Sequence, residues 1–266
     1  MGALKSIGEN AVVRFMVVGT VAFLLGTVTP RAVGDSIVVL TVVAQNADGQ
    51  GSYNLAIEGG PRGEPWCTLA WTGTFDIVDP SNPGVVIGTL KELALSYDAD
   101  PAINLHFSVV AGGNTTTFTI TSALQAVNPP IPAAVAQGRA TSAFSVTDGP
   151  LGGGATLTGL EPGGGAYIAQ YNGFVPGGAT FASQIQQITF IPPDRSRSDS
   201  VNDPDADPTH YRAVGATVND ISAEIKFTLT ARDLASGSTT YEIMPEPAGL
   251  MLLAAGAAGL RWRRRI

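Results

Sequence analysis

From Ile221 to Arg232 the chain alternates almost perfectly between apolar and polar side chains. Ile221, Ala223, Ile225, Phe227 and Leu229 fall on one side, and Ser222, Glu224, Lys226, Thr228 and Thr230 on the other. A period of two is the period of an extended strand, and a helix with one apolar face would need 3.6. Such a segment is stable only as a half-buried strand of an antiparallel sheet. The pattern recurs where Leu69, Trp71, Phe75 and Ile77 alternate with Ala70, Thr72, Thr74 and Asp76, and where Ile103, Leu105, Phe107 and Val109 alternate with Asn104, His106, Ser108 and Val110. Shorter strands are predicted at 37–44, 53–58, 85–90, 93–97, 115–121, 140–146, 166–171, 184–191 and 239–243. Turn clusters such as Asn46-Ala47-Asp48-Gly49, Asp79-Pro80-Ser81-Asn82 and Ala111-Gly112-Gly113-Asn114 separate them.

Composition agrees with this pattern. Glycine and proline occupy 32 and 18 positions, and charged residues make up 14% of the chain, against about 25% in ordinary globular proteins. Long amphipathic helices are thereby excluded. A hydrophobic content of 44% excludes a disordered chain, which needs few apolar residues and a high charge. Many short strands with glycine and proline turns and no strand–helix rhythm predict an all-β body, an antiparallel β-sandwich or jelly roll.

The two ends differ from this body. Lys5 and Arg14 precede the uncharged run Phe15 to Val28, and a polar break begins at Thr29. At 14 residues the run is short for a membrane span, which takes about 20, and fits the apolar region of a secretory signal helix. Ala32 and Gly34 supply small residues at the −3 and −1 positions of a cleavage site, so 1–34 reads as a signal peptide and Asp35 as the mature start. An uncleaved N-terminal anchor is the alternative. At the other end, Pro245-Glu246-Pro247 precedes Ala248 to Leu260, a run without charged side chains, and then Arg261, Trp262, Arg263, Arg264, Arg265 and Ile266. Prolines oppose regular structure in the tripeptide, which is expected to be extended and accessible. The apolar run is expected to be a membrane-seeking C-terminal helix. The arginines hold the terminus on the cytoplasmic side, where anionic headgroups favour them.

This order resembles the PEP-CTERM sorting signal of exported bacterial proteins. The resemblance covers residues 245–266, all three parts in order at the right end. It implies export through the Sec machinery, a transient inner-membrane precursor, and processing by an exosortase, with Pro245, Glu246, Pro247 and the cluster Arg261, Arg263, Arg264 and Arg265 as substrate recognition residues. It also implies delivery to the cell surface or extracellular matrix, where such proteins are linked with polysaccharide. The 13-residue apolar run is about 20 Å long as a helix, short of a core of about 30 Å; bilayer thinning and snorkelling arginines close the difference. A buried or amphipathic helix is the alternative, weakened by the absence of a polar face. The stretch Leu93 to Ala123 also looks similar to segments of uncharacterised PEP-CTERM proteins.

Between the ends, 35–244 forms the predicted sandwich body. Without Lys5, Arg14, Arg31 and the four terminal arginines, 8 of 15 basic residues remain, and without Glu9 and Glu246, 20 of 22 acidic ones, a net charge of −12. Nucleic acid is excluded as a partner, because binding a phosphate backbone requires a basic patch. Two segments interrupt the strand pattern. Gly149 to Gly165 carries two glycine triplets without the Gly-Lys-Ser/Thr of a phosphate loop, and reads as a flexible connection. Pro192 to His210 is polar throughout and reads as a long exposed loop. Within it Asp203, Asp205 and Asp207 recur at the spacing of the first calcium ligands of an EF-hand, but Pro208 stands where the turning glycine belongs and Val214 where the bidentate glutamate belongs. A solvated acidic loop is the plain reading, and a calcium site, with Asp199 and Asn202 as further ligands, the sharper one.

Catalytic patterns are sparse. Two histidines, His106 on the outer side of a strand and His210 at the loop's end, exclude a three-histidine metal site. No Gly-x-Ser-x-Gly elbow is present. Cys67, the single cysteine, cannot form an intramolecular disulfide and reads as a structural thiol. Asp76, Glu92 and Glu224 are candidates for a glycosidase carboxylate pair if the fold brings two together. Two function classes result: a non-enzymatic structural, adhesive or glycan-binding surface protein, and a secreted hydrolase acting on polysaccharide. A groove lined by two separated carboxylates and flanked by Trp66, Trp71, Tyr97, Tyr167, Tyr171 or Tyr211 would favour the hydrolase.

Overall fold

The computed structural model describes residues 36–58, 67–98, 101–150, 152–174, 177–192, 194–204 and 209–246. The signal segment with Ala32 and Gly34, Trp66, Asp205, Asp207, Pro247, the apolar run 248–260, and Arg261, Arg263, Arg264 and Arg265 lie outside the described residues.

Strands account for every regular element among the described residues. The first half of the chain forms β1 (Ser36–Asn46), β2 (Gly49–Glu58), β3 (Cys67–Asp79), β4 (Asn82–Asp98), β5 (Ala102–Ala111), β6 (Thr116–Ser122), β7 (Gln125–Ile131) and β8 (Ala136–Thr147). The second half forms β9 (Ala155–Gly159), β10 (Tyr167–Tyr171), β11 (Ala179–Gln184), β12 (Gln187–Phe190), β13 (Ser196–Asp203), β14 (Arg212–Ala213), β15 (Val218–Leu229) and β16 (Leu234–Pro245). They make two antiparallel sheets. One runs β11-β10-β15-β6-β1-β2, with β9, β12 and β7 attached beside it; the other runs β13-β8-β16-β5-β4-β3, with β14 beside β8.

The core lies between these sheets, so the fold is a β-sandwich. Ile221, Ala223, Ile225, Phe227 and Leu229 of β15 and Ile103, Leu105, Phe107 and Val109 of β5 all point into it, as their alternation requires. Phe227 meets Phe107 from the opposite sheet at 5.7 Å between ring centroids, Phe144 at 6.5 Å, and Phe118 of its own sheet at 5.8 Å. Polar bridges also cross the core. The Tyr97 hydroxyl donates to the Val39 carbonyl at 3.2 Å, and Ser142 donates to Gln184 Oε1 at 2.7 Å while Gln184 Nε2 donates to the Ala140 carbonyl at 3.0 Å.

Turn chemistry fixes the register at one end. Asn46 Oδ1 accepts the Asp48 N–H at 2.8 Å, and Gly49 has φ 143°, a conformation that favours glycine. A Cβ at Gly49 would also lie 2.0 Å from Asp79 Oδ2. Asp79 joins the β1–β2 and β3–β4 turns by accepting from Ser81 N–H at 2.7 Å and Gln50 N–H at 3.2 Å. Those hydrogen bonds, chiefly from Ser81, hold its carboxyl below the usual range.

Several expectations are corrected. Segments 85–90 and 93–97 are one strand, β4, whose register shifts around Lys91. Segment 184–191 is divided between β11 and β12, where Ile185 takes φ 58°. Trp71 and Phe75 are half-buried and packed on Tyr53, because β3 is the last strand of its sheet. The glycine-rich segment 149–165 contains β9, whose Ala155 and Leu157 are in the core and which pairs with β12 and β15. The polar segment 192–210 contains β13, which pairs along its whole length with β8. An outermost strand wetted on both faces has no apolar side to alternate, so its composition resembles that of a loop.

Candidate functional site

The outer face of the second sheet is an array of small polar side chains laid out by strand register. Across β4, β5, β16, β8 and β13, one row reads Glu92, Ser108, Ser236, Ser145, Ser198. The next reads Ala94, His106, Ser238, Ala143, Ser200, and the third Ser96, Asn104, Thr240, Thr141, Asn202. Neighbours in a row stand about 4.7–4.9 Å apart, close enough to bond directly. The hydroxyls of Ser145 and Ser236 are 2.8 Å apart, and Thr240 donates to Asn104 Oδ1 at 2.8 Å. A shallow groove of about 430 Å³ lies over the middle of the array, bordered by His106, Ser145, Asp199, Ser236 and Ser238.

His106 faces outward, as its place in β5 demands, with Nε2 3.2 Å from Glu92 Oε2. Glu92 is one of the candidate carboxylates, and its pairing with His106, which only the fold brings about, lies open to water: the side chains are 42% and 44% exposed. The acid of a Ser-His-acid triad is instead buried and fixes the imidazole. Asp76 lies on β3 of the same sheet and accepts from Thr89 at 2.8 Å. Glu224 lies on β15 of the other sheet, so it cannot act with Asp76 or Glu92 on one bond.

Glu224 has a different partner, which the sequence pattern did not indicate. Glu161 is 3% exposed and hydrogen-bonds Glu224, which also accepts from the Thr121 hydroxyl at 3.0 Å. Burial first, then the Glu224 charge and hydrogen bond, push the Glu161 carboxyl up to about 8, with Lys226 pulling the other way. A usable signal was present: Glu161 is the only charged residue between Asp148 and Asp194. Glycosidase carboxylates stand about 5 to 9.5 Å apart to admit a sugar bond or a water. Two carboxyls sharing a hydrogen bond leave no such room.

The acidic segment is offset by an arginine. Arg212 Nε lies 2.6 Å from Asp203 Oδ1, its other end reaches Oδ2 at 3.2 Å, and the guanidinium stacks 4.0 Å above the Phe181 ring. Asp199 accepts the Ser200 N–H at 2.9 Å. Among the described residues no group of three or more His, Cys, Asp or Glu side chains is placed to hold a metal ion. His210 is exposed just before β14, and Cys67 opens β3. Of the remaining aromatics, Tyr97 and Tyr167 are buried, and Tyr171 and Tyr211 are half-buried, the latter beneath Arg139 at 5.0 Å.

The C-terminal tripeptide starts inside the sheet. Pro245 is the last residue of β16, opposite Ala136, and the Glu246 N–H donates to the Val135 carbonyl at 2.6 Å. Both residues are half-buried. The strand therefore runs one residue past the expected body boundary, with its extended backbone partnered rather than free. No helix among the described residues is long and apolar enough to cross a membrane.

No family model and no curated protein matches the chain. Among solved structures it is similar to one described as "Structure of infectious bursal disease virus Gt strain", at 12% identity and a TM-score of 0.22, covering 84% of this chain and 63% of that one. The chain thus spans less than two thirds of the length of that structure's chain, and a likeness this distant carries no argument.

Proposed function

We propose that this is an exported, exosortase-sorted protein of the cell surface or extracellular matrix, whose body binds or builds rather than catalyses. The outer face of the second sheet carries this reading: it offers rows of hydroxyls and amides over a shallow groove, with its histidine and carboxylate both in open water. A polyhydroxylated chain is the ligand class that matches such a face, because each sugar hydroxyl can both donate to and accept from Ser, Thr and Asn. The acidic body disfavours anionic polymers and leaves neutral polysaccharide. The export and sorting elements rest on the layout of 1–34 and 245–266, and assign the Sec machinery and an exosortase as partners of the precursor.

Two measurements test the reading. In the exporting host, mass spectrometry should find a mature start near Asp35 and no peptide from Leu250 to Ile266, and replacing Pro245, Glu246 and Pro247 with alanine should leave uncut protein in the inner membrane. An intact C-terminus on mature extracellular protein overturns the sorting reading. For the body, co-sedimentation with insoluble neutral polysaccharide should weaken several-fold when Ser236 and Ser238 are both replaced by leucine. Release of reducing ends that Glu92→Gln abolishes would instead establish the alternative, a secreted polysaccharide hydrolase.

A further inference from the structure

Along one side of β15 the partner strand is interrupted. β9 pairs with Leu229 to Phe227, β10 pairs with Ile225 to Ile221, and between them Leu160 to Gly165 leave the sheet as an excursion. Its two ends are tied to a single residue of β15. The Leu160 N–H donates to the Lys226 carbonyl at 3.0 Å, and the Lys226 N–H donates to the Ala166 carbonyl at 2.8 Å. Internally, Glu161 N–H donates to the Gly165 carbonyl at 2.8 Å and Gly164 N–H to the Glu161 carbonyl at 2.7 Å. Gly163 and Gly164 take φ of 90° and 82°, so the return bend relies on glycine. Ile168 is fully buried yet outside the core cluster that contains its neighbours Tyr167 and Ala169, which places it on the outer face of this sheet.

The side chain that anchors this excursion is an acid. Glu161 is 3% exposed, and its Oε1 has no hydrogen-bond partner. The charged groups facing it are Glu224 and Lys226, both on β15. β6 contributes the Thr121 hydroxyl to Glu224, and β11 contributes the Ser183 hydroxyl to the Pro162 carbonyl at 3.0 Å; neither titrates. One lysine facing two carboxylates cannot neutralise both, and an ionised carboxylate with an oxygen buried and unpartnered is costly.

We propose that the Leu160–Gly165 excursion is a proton-operated latch: the protonated, buried Glu161 side chain holds it against the sheet, and loss of that proton to solvent releases it. Burial and the Glu224 carboxylate retain the proton at neutral pH, and ionisation centres on about 8. Below that pH the acid donates to its neighbour and the excursion stays down. Above it, two like charges face each other at the surface of the sheet, and the backbone bonds of Leu160, Glu161 and Gly164 are opened. The latch is independent of sorting and of any ligand on the opposite face.

Amide hydrogen exchange on the purified full-length protein tests this, with Glu161→Gln as the reference that stays neutral at every pH and cancels the intrinsic base catalysis of exchange. The wild-type to Glu161→Gln ratio of exchange rates at Leu160, Glu161 and Gly164 should be near one on the acid side. It should rise about tenfold per pH unit on the approach to the midpoint, following the ionised fraction, and level off beyond it. Glu224→Gln should move the midpoint to lower pH, because the repelling charge is gone. A ratio that stays flat overturns the latch. So does a Glu161 side-chain carboxyl carbon resonance in the wild-type protein that titrates in the ordinary range near 4.5, a measurement that requires no variant to fold.

Discussion

Replacing Phe227 with alanine should lower the unfolding free energy by about 3–5 kcal/mol, the usual cost of removing a fully enclosed aromatic ring. Phe227 is 0% exposed and touches rings from both sheets, Phe107 and Phe144 on one side and Phe118 on the other. Deleting it empties the point where the sheets meet, and its β-sheet neighbours cannot collapse inward without breaking register. At roughly 2–4 °C per kcal/mol for a body of this size, the melting temperature should fall by roughly 6–20 °C. Phe75→Ala is the control. Phe75 is half-buried at the edge strand β3, packed chiefly on Tyr53 at 4.7 Å, and should cost about 1–2 kcal/mol. Urea titrations compare the two, and equal losses would mean that the aromatic cluster is not the centre of the core.

The second large effect is a decline in stability with rising pH. Glu161 keeps its proton up to about 8 in the folded protein, whereas its ordinary value is 4.5. Between those values the native state binds a proton that the unfolded chain has released, so stability falls as pH rises. The contribution is complete below about 4.5, is lost through about 8, and is level beyond. The limiting slope is about 1.4 kcal/mol per pH unit. Asp220, raised chiefly by burial, contributes with the same sign. Asp79 has the opposite sign in a different window: its depressed carboxyl adds stability above 3.8, which is lost as pH falls through its lowered value. Glu161→Gln should remove most of the slope and exceed the wild-type protein in stability on the alkaline side. Denaturation midpoints measured across this range check it, and a wild-type slope unchanged by the substitution would refute it.

Both effects show which features can be read along a chain. The inward faces of β15 and β5 were legible because the choice between core and water is made residue by residue, and an antiparallel strand writes that choice as alternation. The turns at Asn46–Gly49 and Asp79–Asn82 were legible for a related reason, since short polar side chains bond the backbone two residues on. β9 was hidden by the glycines around it, and β13 by exposure on both faces. Their pairing with β12, β15 and β8 supplies the order that local propensity lacks.

The candidate site divides in the same way. His106 was expected on an outer face and lies there, but its row with Ser238, Ala143 and Ser200 joins strands far apart in the chain. Glu224 was a solvent-side carboxylate of an amphipathic strand, and Glu161 a lone acid among glycines. Only the fold of 160–165 onto β15 takes Glu161 out of water and sets it beside Glu224. By itself, the sequence determined that the body is built of antiparallel strands, which side of its best strands faces the core, and where its hairpins turn, because these follow from local periodicity and turn chemistry. The tertiary structure alone decided which strands are neighbours, which face stays open, and which carboxyl loses its solvent, because burial and electrostatics depend on groups that meet only when distant segments pack together.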